Sequence, residues 1–295
     1  MIEFLSQRIQ LARQRLAFKF MPRMAEWAIW AASTSAVVEL SEISPVRLLL
    51  DSTIHAHAIT HESAWIDTGT KLWGGAHPVK TGYAARIPVH SADNPSAEYQ
   101  DICRLTVIAG LARKGLFELH TSSELIAERE RQPASRFRAT GYSDYSLLDG
   151  LKIDSLDGGN FDALPMRNAT TAKLQEAQRS RLQSSDDPLY RAILKALGHN
   201  KHSQDAWHIR TAHEHRMFAF LTMDYSLVRL VAAQRSKLAD IGISNLVVTP
   251  SELASHFELG KVPPHLFSYT DASFPVRSDL CWPDERRRST RKKRG

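Results

Sequence analysis

The chain has 295 residues, 43% of them hydrophobic and 24% charged. That balance excludes a wholly disordered or fibrous chain and allows one large domain or two small ones. The net charge is +6, but the run Arg286-Arg287-Arg288-Ser289-Thr290-Arg291-Lys292-Lys293-Arg294 carries seven positive charges. The remainder stands near −1, which excludes a uniformly basic nucleic-acid-binding body.

Two cysteines, Cys103 and Cys281, exclude a disulfide scaffold and a cysteine-only zinc site and fit a reducing compartment. In residues 1–43, Ile2, Leu5, Ile9, Ala12, Leu16 and Phe20 recur at helical spacing with arginines between them. An N-terminal helical extension is expected, packed on the main domain or laid on a membrane surface or nucleic acid. Pro22 is expected to break or kink it. The run from Trp27 to Val38 falls short of the roughly 18 residues that span a bilayer. The charged helical stretch before it is long for a secretory leader, so a cytoplasmic protein is expected.

Val46-Arg47-Leu48-Leu49-Leu50 reads as a buried parallel strand ending on Asp51. Residues 62–95 lack a period and hold seven Gly and Pro residues, so a long loop or small insertion is expected there. A helix over 96–114, a strand at Leu116–Ser122 and a helix at Ser123–Arg131 follow. Residues 132–170 show little pattern beyond a strand at Leu151–Ile153. Helices are then expected near Ala172–Leu182, at Pro188–Leu197, and from Ser203 or Asp205 to His215. A strand at Met217–Thr222 leads to Asp224, a helix covers Tyr225–Leu238, and Leu246-Val247-Val248 forms a last strand before a helix at Ser251–Phe257. Residues 261–295 read as loop and basic tail. Alternating strands and helices predict an α/β fold with a mainly parallel sheet over 44–260.

In such a sheet ligands bind at the carboxyl edge of the strands. Asp51 and Asp224 close two strands there, and Glu128 lies in the helix leaving a third. Asp205 opens a helix that returns about 16 Å down the sheet at 1.5 Å per residue, which puts its start at the same edge; a helix cap is its alternative role. Four gathered carboxylates repel one another unless protons or cations compensate. Oxygen ligands without cysteine favour Mg²⁺ or Mn²⁺, and metal-assisted phosphodiester hydrolysis is the chemistry they suit.

The strings Asp205-Ala206-Trp207-His208-Ile209, Phe220-Leu221-Thr222-Met223-Asp224 and Leu246-Val247-Val248-Thr249-Pro250-Ser251-Glu252-Leu253 resemble the second half of a PIN domain. Leu48-Leu49-Leu50-Asp51-Ser52 and Ser122-Ser123-Glu124-Leu125-Ile126-Ala127-Glu128 are similar to its first half. The resemblance spans roughly residues 45–255. It implies a Rossmann-like three-layer sandwich and a Mg²⁺- or Mn²⁺-dependent endoribonuclease using Asp51, Glu128, Asp205 and Asp224, with Glu124 competing with Glu128 as second acid. Ser52 and Thr222 become supporting hydrogen-bonding groups. RNA is the implied substrate, with single-stranded DNA as the second choice. A toxin–antitoxin partner and a homodimer are family habits. The chain is longer than the compact toxins, chiefly in 62–95 and at both ends.

Arg210 and Arg216 near the acid-bearing helix, and Arg286, Arg287, Arg288, Arg291, Lys292, Lys293 and Arg294, are expected phosphate contacts. The tail equally suits a solubilising end or, in a eukaryotic source, a nuclear-localisation-like patch. Two other readings stand beside the nuclease. His55-Ala56-His57 with His61 resembles the transition-metal signature of amidohydrolases, and the fold without catalysis would give a nucleic-acid-binding or scaffold protein.

Overall fold

A computed structural model describes residues 2–43, 45–91, 93–131, 145–157, 171–244, 246–272 and 275–280. The first strand, β1 (Val46–Leu50), is buried at every position but Arg47. A strand so apolar must be covered on both faces, and it sits in the middle of the sheet. On one side it pairs in parallel with β4 (Phe117–Thr121), on the other with β7 (Ala219–Leu221). The edge strands β6 (Ile153–Ser155) and β8 (Val247–Val248) add to those, again in parallel, giving the order β6-β4-β1-β7-β8.

Alternation along the strands divides the core into two. Leu48 and Leu50 of β1 and Ala219 and Leu221 of β7 face one cluster, covered by α1 (Ile2–Ile43), α3 (Ala97–Arg113) and α10 (Pro250–His256). Leu49 and Phe220 face the other, covered by α6 (Pro188–Leu197), α7 (Ser203–Glu214) and α8 (Tyr225–Ala233), with α5 (Thr171–Gln183) and α9 (Arg235–Ala239) closing its margins. The result is an α/β sandwich of Rossmann-like kind. The expected helix over Tyr225–Leu238 divides at Gln234 into α8 and α9.

Residues 62–95 are not a loop. Ile59–Trp73 (β2) and His77–Pro88 (β3) form a long antiparallel hairpin, joined at its base by Tyr145–Ser146 (β5). Its outer part is exposed on both faces, so no core imposes the apolar alternation that would reveal a strand. The glycines are hairpin devices. Gly74 and Gly75 turn the tip with φ of 61° and 78°, and Gly69 adjoins a register shift. At Gly82 a Cβ would meet the Trp65 indole at 2.5 Å.

Pro22 does not break α1, which continues as helix on both sides of it. The second half of α1 packs through Ala25, Ile29, Ala36 and Leu40. The stripe read from the sequence at Ile9, Leu16 and Phe20 is instead exposed. Beyond α10, a 3-10 turn (Pro264–Phe267) packs under α1, and Val276 bridges to Arg86 of the hairpin. Among the described residues no helix is long and apolar enough to cross a membrane.

Candidate active site

Leu50 pairs with Leu221 across the β1–β7 seam, and the next backbone bond runs from Asp51 N to Leu221 O at 2.9 Å. Asp51 and Thr222 therefore leave the sheet side by side. Asp51 precedes the short helix α2 (Ser52–His57) but does not cap it with its side chain. Its carboxylate accepts instead from two hydroxyls, Thr53 Oγ1 at 2.5 Å and Thr222 Oγ1 at 2.6 Å, both on Oδ2. The group is buried. Burial raises its pKa, and the neighbouring Glu128 carboxylate raises it further, against the two hydroxyl bonds and His208.

Glu128 comes from α4 (Ser123–Arg131), the helix leaving β4. The Ser52 hydroxyl stands 3.4 Å from Asp51 Oδ1 and 3.4 Å from Glu128 Oε2, linking the two acids. On the far side of Glu128, His208 Nε2 lies 2.9 Å from Oε1. His208 is buried on α7, which opposes its charging. Glu128 outweighs that burial, helped by Asp51 and Asp205, and the imidazole pKa rises to about 9.

Thr222 also ties in Asp224, whose backbone N–H donates to Thr222 Oγ1 at 2.9 Å. Asp224 caps α8, with Oδ1 accepting from Ser226 N at 2.8 Å and Leu227 N at 3.2 Å. Its other oxygen takes no part in the cap. Asp205 lies in the first turn of α7, its Oδ2 3.0 Å from His202 Nδ1. It is one turn from His208 and joins the cluster through the field it exerts there. The edge thus holds Asp51, Glu128 and His208 in one bonded chain, with Asp224 one hydroxyl away and Asp205 on the flank. Among the described residues no three His, Cys, Asp or Glu side chains form a ready metal-holding group.

Glu124 is occupied elsewhere. It is buried, ion-paired to Arg181 and hydrogen-bonded by Gln178, both on α5. Arg210 is likewise engaged: its guanidinium pairs with Asp187 at 2.6 Å and with Glu214, and lies 5.0 Å over the Trp207 ring. Arg216 follows the far end of α7, so it sits at the opposite edge of the sheet from Asp51. The cations from Arg286 to Arg294 lie outside the described residues.

The histidines after β1 part company. His57 Nδ1 is 2.8 Å from Thr53 O and its Nε2 is 3.4 Å from Glu98. His61 is sealed between Thr60 and Ser268 at the hairpin base. His55 is half-buried, its Nε2 is enclosed with no hydrogen-bond partner, and burial, aided by Arg129, pulls its pKa to about 4. His57 and His61 are bonded to different groups, and among the described residues the three imidazoles do not gather into the His-x-His metal site.

Two members of the site were not singled out from the sequence: Thr53, and His208 as a partner of Glu128. His208 follows Asp205 by three, so both share a helix face, and that spacing was the available signal. In the Pro-Ser-Glu-Leu segment, Glu252 does structural duty, closing a capping box with Thr249 at the start of α10. No family model, curated protein or solved structure matches the chain.

Proposed function

We propose that this protein is a metal-dependent nuclease of PIN-like architecture that cleaves RNA in the cytoplasm. The observation that carries the reading is the environment of Asp51. It is a buried carboxylate whose direct partners are neutral hydroxyls, with Glu128 beside it and Asp224 tied to the same threonine. Such a group calls for a proton or a cation.

The donor set fits a hard divalent ion. Mg²⁺ commonly binds through one or two carboxylates, waters and substrate phosphates, so it does not require a preformed cage of three acids. Asp51 and Glu128 would hold it, with Asp224 and Asp205 reaching it through water. When bound, such an ion lowers the pKa of a water and neutralises charge building on a phosphodiester. The chain's own groups supply the frame. Thr222 and Thr53 fix the Asp51 carboxylate, and Ser52 holds Glu128 against it. His208 restrains the other Glu128 oxygen and offsets part of the negative charge.

The non-catalytic alternative draws on the absence of a ready three-acid group among the described residues. Labelled single-stranded RNA and DNA, incubated with Mg²⁺, Mn²⁺ or EDTA, separate the two readings. Cutting that needs metal and disappears in Asp51→Asn and Asp224→Ala is expected. Salt-sensitive binding with no cutting in either metal would favour the binding protein.

A further inference from the structure

The helix α1 is apolar on two opposite faces, and the domain covers one of them. At 3.6 residues per turn, Ile9, Leu16, Phe20, Trp27 and Val38 fall within about 20° of one line. Ala25, Ile29, Ala36 and Leu40 lie about 180° away. The second set is buried against the sheet domain. The first is exposed, with Trp27 at 66% and Val38 at 69%, and Met24 and Trp30 flank it.

Charge divides along the same helix. Residues 1–25 hold five cations and one acid, while residues 26–43 hold three acids and no cation. This arrangement runs against the helix dipole, which favours acids at the start and bases at the end. It gains from a second helix lying antiparallel, where Arg13 of each chain, on the same flank of the stripe as Glu42, approaches Glu42 of the other. Both side chains are exposed.

We propose that α1 is the seam of a two-fold homodimer, in which the exposed stripes of two copies pack antiparallel. Each domain sits on the back of its own helix and leaves the seam clear. Seven apolar side chains at about 100 Å² each give about 700 Å² per chain, close to the ~800 Å² per partner of a stable interface. A cavity of about 600 Å³ opens beside the stripe, lined by Trp27, Trp30, Arg113, Tyr145 and Phe267 among others, and gives room for large side chains of the second copy. A membrane surface would suit the basic half alone; the acidic half, which carries the same stripe, would be repelled by anionic lipid. The inference is independent of the nuclease reading.

Light scattering on the full chain after gel filtration tests it. The wild type should show twice the chain mass of 33.2 kDa. The double variant Leu16→Glu, Trp27→Glu should run as a monomer with unchanged circular dichroism, since neither residue is in the core. Reversal of the charge at the seam by Arg13→Glu should raise the dissociation constant at least about threefold at low salt. Adding Glu42→Lys to that reversal should restore the dimer. A wild type that is monomeric at about 100 µM overturns the proposal, as does a dimer indifferent to Leu16→Glu, Trp27→Glu. A monomer that floats with anionic phosphatidylserine vesicles would overturn it in favour of a membrane face.

Discussion

Thr222 donates its hydroxyl to Asp51 at 2.6 Å and accepts the backbone N–H of Asp224 at 2.9 Å, so one buried side chain holds two of the acids in register. Thr222→Val keeps the volume and removes both bonds. It is expected to cost about 1–3 kcal/mol of stability, because the Asp224 N–H and an Asp51 lone pair lose a partner. Cleavage should fall further than stability, while Thr222→Ser should keep most of both. Urea denaturation and cleavage rates measured side by side would reveal an uncoupled loss.

Asp51 is placed against folding stability. Its raised pKa means that the ionised form is disfavoured in the folded state, most strongly by burial. With EDTA at neutral pH, Asp51→Asn should therefore be as stable as the wild type or more so, although its cleavage in Mg²⁺ or Mn²⁺ drops by at least about a hundredfold. Saturating Mn²⁺ should raise the wild-type melting temperature, with a gain of about 2.7 kcal/mol at a hundred times the dissociation constant. The variant should show little of that gain. An equal metal shift in both proteins would count against Asp51 as a ligand.

The His208–Glu128 pair joins a buried imidazole to a largely buried carboxylate. Removing one member of such a pair leaves the other uncompensated, at a cost of about 3 kcal/mol. His208→Ala alone should lose about that amount in metal-free buffer. Glu128→Gln with His208→Ala should lose less than the sum of the single changes, and a double-mutant cycle reads the coupling. Additive losses would mean that the two side chains do not interact.

The legibility of this chain in its sequence follows burial. β1 and β7 were readable because they are covered on both faces, and their last residues place Asp51 and Thr222 by chain geometry alone. The choice between Glu124 and Glu128 was not readable. They are four apart on one short helix, and only the packing of α5, with Arg181 and Gln178, decides that Glu124 turns away from Asp51. Arg210 looked available for phosphate because its partner Asp187 lies 23 residues earlier, on the cap of α6. The hairpin was hidden for the opposite reason: strands exposed on both faces carry no hydrophobic period.

His61 sets an acid limit on the fold. Ser268 Oγ already donates to His265 O at 2.6 Å, so it accepts from His61 Nε2 at 2.8 Å, and Nδ1 at 3.0 Å accepts from Thr60. The ring is fully satisfied when neutral. Burial, with Arg86 nearby, drops its pKa to about 3. On acidification the unfolded chain therefore takes the proton first. The contribution is intact above about 6.5 and is lost toward pH 3, at up to about 1.4 kcal/mol per pH unit. His61→Gln keeps a donor toward Ser268 and does not titrate. Denaturation between pH 7 and pH 4.5 should show a shallower loss in the variant, and parallel curves would reject this role.

The outer hairpin should be dispensable for folding. Residues 67–80 are exposed on both strands and bury nothing against the domain, whereas Ala64, Ala85 and Ile87 at its base belong to the interior. A two-stranded ribbon without a packed face adds little stability of its own. Joining Asp67 to Gly82, which are paired across the ribbon, through an Asn-Gly turn removes the arm and leaves the base in register. The shortened chain should unfold within about 1 kcal/mol of the wild type, as exposed substitutions do. Its cleavage rate in the same metal then reads the arm's part in holding substrate. A loss of several kcal/mol would instead mean that the arm packs on the domain in solution.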